Sequence, residues 1–196
     1  MTLDLLNFLL MPWIVGIGLS FITSGIGCLL VWRRLSFFGD ALAHSTLLGI
    51  VLSLVLNISL LWGVVAICIM VGLVLGYLPQ RSRIGPDTWL AILSYGSLAL
   101  GMITISKLPG MRIDPASYLF GDILTVTSED VGAVFIVALL TSGFLYYHWR
   151  SLILITLNAD LAQAEGIKVS NLQRQLTLML ALTVAVCLKF IGALLV

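Results

Sequence analysis

An acid and an imidazole stand four residues apart in Asp40-Ala-Leu-Ala-His44, just inside an otherwise apolar run. At helical pitch, positions i and i+4 share a face, so the two side chains offer one oxygen and one nitrogen to the same point. That donor set suits a divalent metal such as zinc. A charge at the centre of a bilayer costs roughly 3 kcal/mol on insertion scales, so an ionisable group there carries a task or a partner. Two readings stay open on the residues alone. Either Asp40 and His44 form a metal waypoint on a path through a membrane, or Asp40 caps a helix start while His44 hydrogen-bonds a neighbouring helix.

The rest of the chain decides what can hold such a pair. Hydrophobic residues make up 60% of the 196, charged residues only 10%, and the mean hydropathy is +1.14. A soluble domain carries about 25% charged residues, so this sequence cannot cover itself with a water-soluble exterior and has the lipid bilayer as its solvent. The net charge of +1 and the lack of a basic, aromatic-interleaved patch exclude nucleic acid as a partner. Cys28, Cys68 and Cys187 lie in apolar runs without CxxC or zinc-finger spacing, and are expected as small buried residues. Met1 to Asp4 lacks the basic start of a cleavable signal, so the first apolar segment is expected to remain as a span.

Apolar runs of roughly 17 to 25 residues read as transmembrane helices. They predict an all-α, polytopic membrane protein with about six spans. These lie near Phe8–Val31, Phe37–Leu56, Leu60–Leu78, Thr88–Ser106, Val131–Tyr147 and from Leu176 to the end, with Asn57-Ile-Ser59 as the turn between the second and third. Arg33, Arg34, Arg81, Arg83, Arg150, Lys168 and Arg174 then fall on one side, while Lys107 and Arg112 fall on the other among several acids. By the positive-inside rule the larger set marks the cytoplasm and the N-terminus lies outside. Trp32, Tyr146, Tyr147, His148 and Trp149 flank inner span ends and read as an interfacial aromatic belt.

Two connections are longer than turns. The outer one, Lys107–Asp130, contains Tyr118-Leu-Phe-Gly-Asp122-Ile-Leu, too short to span and expected as a re-entrant or interfacial helix. Asp122 is its candidate functional acid, a draw for a divalent cation or a contact for a partner, whereas Glu129 and Asp130 are placed to cap the fifth helix. Asp87, after Pro86, reads as a capping residue too. The inner connection, Arg150–Arg174, contains a polar helix-forming piece ended by Gly166, which suggests a docking surface for a soluble partner. Lys189 either snorkels to the outer interface or neutralises an acid of the pathway.

Four blocks resemble the membrane permease of bacterial zinc-uptake ABC transporters, within the wider zinc/manganese/iron permease family. They are Val31-Trp-Arg-Arg-Leu-Ser-Phe-Phe-Gly-Asp-Ala-Leu-Ala-His44, Tyr118-Leu-Phe-Gly-Asp-Ile-Leu-Thr-Val-Thr-Ser-Glu-Asp130, Asp160-x-Ala162-x-x-x-Gly166 and Lys189-Phe-Ile-Gly-Ala-Leu-Leu195, in family order. The resemblance implies a homodimeric permease in the bacterial inner membrane. Its partners would be cytoplasmic ABC ATPase subunits and a periplasmic metal-binding protein, with zinc as transported substrate and no resident cofactor. The chain is then no enzyme, and no G-x-x-x-x-G-K-[ST] nucleotide motif occurs in it. Manganese or iron as cargo, or a non-transporting assembly subunit, are the alternative readings.

The resemblance also assigns Asp160, Ala162 and Gly166 to a cytoplasmic coupling helix that fits a groove on the ATPase. It implies one membrane domain over residues 1–196, and further helices beyond Val196, so that the C-terminal part of the family domain is expected to be missing. If one helix rises from Arg33 and Arg34 at 1.5 Å per residue, Asp40 lies roughly 10 Å above them and His44 roughly 6 Å further, near mid-membrane. Zinc prefers four ligands. Two Asp40 and two His44 across a dimer axis, or one pair plus waters, would each supply them. H-E-x-x-H is absent and the chain has two histidines, which argues against an intramembrane metalloprotease.

Overall fold

The computed structural model describes residues 2–33, 35, 37–78, 85–107 and 128–192. Within lipid, a helix satisfies every backbone polar group from its own segment, and the apolar runs accordingly fold as helices. In chain order they are α1 (Thr2–Trp32), α2 (Phe38–Leu56), α3 (Leu60–Tyr77), α4 (Pro86–Ser106), α5 (Ser128–Leu157), α6 (Ala159–Ala164) and α7 (Val169–Ile191). Five segments are long and apolar enough to cross a membrane: Leu10–Trp32, Phe38–Leu56, Asp87–Ser106, Val131–Leu157 and Val169–Ile191. α3 is the sixth, shorter apolar helix. The molecule is an all-α, multi-pass membrane protein, as the hydropathy predicts.

Turn chemistry sets several boundaries. α2 stops at Asn57, which takes the left-handed conformation at φ 54°. The Ile58 N–H donates back to the Ser53 carbonyl at 3.0 Å and closes the helix end. α3 then starts from extended backbone at Ser59, whose carbonyl accepts from Trp62 and Gly63. α4 opens with Pro86 and has Asp87 in its first turn, where the proline ring costs no hydrogen bond and the acid meets the positive end of the helix dipole.

Charge ends an apolar run, but it does not end a helix. α5 continues through Arg150 to Leu157, ten residues beyond the expected end at Tyr147, and α7 begins at Val169 rather than Leu176. At 30 and 23 residues both helices are longer than the roughly 20 residues that cross the hydrocarbon, which leaves room for polar residues at their ends. The expected inner loop is therefore mostly helical. The outer segment Tyr118–Leu124, with Asp122, lies outside the described residues.

α2 packs on α3, α4 and α7, α3 packs on α7, and α1 packs on α5. Lipid gives no hydrophobic force between helices, so close packing of small residues holds them. Gly49 and Gly63 make the tightest such crossing: a Cβ on Gly63 would stand 2.5 Å from the Gly49 carbonyl oxygen. The main core joins Phe38, Ala41 and Leu42 of α2 with Cys68, Leu90, Leu152, Leu176 and Leu180 from four other helices. Cys68 and Cys187 are buried as expected, but Cys28 is exposed on α1. An apolar run does not tell a lipid-facing position from a helix-facing one.

Candidate metal pathway and connector helix

Asp40 is the third residue of α2 and His44 sits one turn further on. Their side chains converge, with His44 Nε2 3.4 Å from Asp40 Oδ1. Two ligands of a tetrahedral ion bonded at about 2.1 Å are separated by roughly the same distance. The N-cap of α2 is Phe37, and no side chain makes a cap hydrogen bond there. Asp40 is thus not the capping residue, although it gains from the helix dipole. Among the described residues no hydrogen bond ties His44 to a neighbouring helix, so the capping alternative lacks both of its contacts.

No single helix runs from Arg33 to His44. α1 ends at Trp32 and α2 begins at Phe38, so the helical rise restarts at Phe38. His44 lies roughly 9 Å along α2, which at 1.5 Å per residue is about a third of its length. Asp40 is 61% and His44 38% exposed in this single chain. Among the described residues, no third His, Cys, Asp or Glu joins them. Arg33 sits at the end of α1, outside the span, where burial lowers its pKa from the usual guanidinium value.

α4 supplies the neighbours of the pair. Ser45, buried next to His44, meets Ser97 of α4 with hydroxyl oxygens 2.8 Å apart and also donates to the Ala41 carbonyl at 2.7 Å. That contact fixes the two helices in register. Two residues before Ser97, the Tyr95 ring stacks on the His44 imidazole with centroids 6.4 Å apart and planes at 26°. No spacing rule links positions 44 and 95, so the sequence offered no signal for Tyr95. His148 has a different setting, among Phe144 and Tyr147 near the end of α5, and Lys189 Nζ lies 5.8 Å from the Phe190 ring centroid in the last turn of α7.

The connection between α5 and α7 folds into α6, held between the ends of those helices. Asn158 caps it, its side-chain oxygen accepting from the Asp160 and Leu161 N–H groups at 2.9 and 3.2 Å. At the other end Gly166, at φ +80°, lets the Ile167 N–H reach the Ala162 carbonyl at 3.0 Å. Asp160 and Gly166 are exposed, as a docking surface requires. Ala162 is fully buried in the core, because its i position faces α5 and α7. Its methyl group seats the helix on the chain's own core. Leu157 and Leu161, 78% and 58% exposed, extend the outward face instead. Asn158 was findable in the sequence as an N-cap residue type before a short helix-forming run.

Residues 5–196 match the family described as the ABC 3 transport family. The chain is 39% identical over 185 residues to the high-affinity zinc uptake system membrane protein ZnuB of Buchnera aphidicola, covering 94% of this chain and 71% of that protein. It is 32% identical over 171 residues to the manganese transport system membrane protein MntC of Halalkalibacterium halodurans, covering 87% of this chain and 59% of that one. Among solved structures, PsaBC from Streptococcus pneumoniae in complex with Fab matches all of this chain and 72% of its own, at 26% identity and a TM-score of 0.77.

Proposed function

The chain belongs to the ABC 3 transport family, and we propose that it is the membrane-spanning permease subunit of an ATP-driven importer whose cargo is zinc. The observation that carries the reading is the convergence of His44 Nε2 and Asp40 Oδ1, at 3.4 Å, on an exposed face of an apolar helix. Zinc accepts imidazole nitrogen readily, while manganese and iron favour more carboxylate and water. The similarity to zinc-uptake relatives points the same way, and the manganese relative defines the rival cargo.

Two protein ligands hold an ion loosely, which suits a carrier that must release what it binds. A second copy of the chain would complete four ligands by bringing its own Asp40 and His44 to the pair. Asp122, on the outer connection, would draw the cation in from a periplasmic metal-binding protein. The positive-inside rule supports a periplasmic N-terminus in a bacterial inner membrane, which would put Arg33, Arg150, Lys168 and Arg174 on the cytoplasmic side. There the exposed residues of α6, Asp160 and Leu161, with Gly166 after it, would meet the ATPase subunits that hydrolyse ATP. α6 is seated on both α5 and α7, so a push from the ATPase reaches two spanning helices at once.

Zinc accumulation in zinc-starved cells lacking their own permease tests this. The chain is co-expressed with its ATPase and binding protein, intact or as His44→Ala. Accumulation with the intact chain and none with the variant, at equal membrane levels, is the expected result. Accumulation that survives His44→Ala removes the metal pair but leaves transport. Manganese accumulation in place of zinc transfers the assignment to the rival cargo.

A further inference from the structure

We infer that Tyr95 is a positioning residue for the metal pair, its ring holding the His44 imidazole so that Nε2 faces Asp40. The inference rests on the assignment of Asp40 and His44 as the zinc pair. His44 is only half-buried, and its imidazole is joined to the protein through the Asp40 contact and the Tyr95 stack. Rotation of a histidine ring about its last bond is soft and roughly two-fold, so an unsupported imidazole would turn Nε2 away for much of the time. The stack holds the ring plane against partial rotation, because the planes lie within 26° of each other and the centroids within the range of attractive ring pairs, and the Asp40 contact then selects the flip that turns Nε2 to the carboxylate.

The placement of Tyr95 is itself determined. The Ser45–Ser97 contact locks α2 against α4 immediately beside the two rings, and a Cβ on Gly101 would lie 3.2 Å from the Leu48 N–H nitrogen, so the helices stay close one turn further on. Tyr95 is nevertheless 68% exposed. Its ring is not part of the core, and its removal leaves the helix packing intact. An exposed aromatic ring laid over one half of a polar pair points to a role at that pair. Because the ring face does the holding, phenylalanine should replace tyrosine and leucine should not.

The test measures zinc affinity of the purified full chain in detergent, by competition with a fluorescent chelator, for the intact protein, Tyr95→Phe, Tyr95→Leu and His44→Ala. Ring-current shifts of the His44 protons are read by NMR on the same samples. Tyr95→Leu is expected to weaken binding roughly fivefold and to abolish the shift, as loss of one ring pair implies, while Tyr95→Phe keeps both. Equal affinity for Tyr95→Leu and the intact chain, with His44→Ala impaired, overturns the inference and spares the metal pair. A Tyr95→Phe variant as weak as Tyr95→Leu also overturns it, since the hydroxyl rather than the ring would then matter. Zinc binding that is absent in the intact chain, or unchanged in His44→Ala, removes the pair and the inference with it.

Discussion

Replacing Gly63 by alanine should separate α2 from α3 and destabilise the helix bundle. The added Cβ would stand 2.5 Å from the Gly49 carbonyl oxygen, 2.6 Å from the Ser53 Cβ and 3.2 Å from the Ser53 nitrogen. Two of these three atoms are backbone and cannot swing aside. Relative to ordinary van der Waals contact the shortfall is about 1 Å, and the whole crossing must open by that much. Overpacking of this kind costs about 1–3 kcal/mol, of which the better helix propensity of alanine returns up to about 1 kcal/mol. A net loss of about 1–2 kcal/mol is therefore expected. The assay is unfolding in mixed micelles, followed by circular dichroism as denaturing detergent is titrated. Gly143→Ala in α5 is the control, since a Cβ there meets nothing within 4 Å; it should be neutral or slightly stabilising. Stability of Gly63→Ala within about 0.5 kcal/mol of the intact chain would refute the close-crossing argument, because that is the scatter of an ordinary surface substitution.

Ser45→Ala removes the hydroxyl contact to Ser97, and should cost about 0.6 kcal/mol, the average for a polar contact between membrane helices. The Ser45→Ala/Ser97→Ala double variant should cost less than the sum of the two singles in the same unfolding assay. Gly166→Ala forces a Cβ into the left-handed conformation at φ +80°, at about 1–2 kcal/mol. Nothing crowds the site, so the strain should fray the end of α6 alone, seen as faster hydrogen exchange at the Ile167 amide with unfolding of the spans unchanged.

The membrane-spanning architecture was legible because lipid allows few solutions. An apolar run of sufficient length, closed by Asn57 or opened by Pro86, becomes a helix whatever its neighbours do. Helix ends in the water-facing zones were not legible, since Arg150 and Arg174 stop the hydropathy signal without stopping the backbone hydrogen bonds. The Asp40–His44 contact was legible for a local reason: i and i+4 on one helix must approach. Tyr95 was not, because its place beside His44 depends on how α4 lies along α2, and that is set by Ser45, Ser97 and the packing of small residues. Ala162 shows the same limit in reverse. A small residue in a polar segment suits a close approach to a partner or to the protein's own core, and burial of Ala162 assigns it to the core.

The position of the pair on α2 carries a consequence for how an ion would be held. Phe38, Ala41, Leu42, Ser45, Gly49 and Ser53 bury one side of this helix among its neighbours, and that side offers an ion no charge. Asp40 and His44 lie off that face, near the start of a side that is buried again at Val51, and among the described residues they alone bring metal-binding groups together there. An exposed carboxylate facing hydrocarbon would be costly, so Asp40 is expected to face water, an ion or other protein rather than lipid. A pathway bordered by α2 and α4, with its far wall supplied by a second copy of the chain, would agree with the convergence of two metal-binding groups here without a third among the described residues.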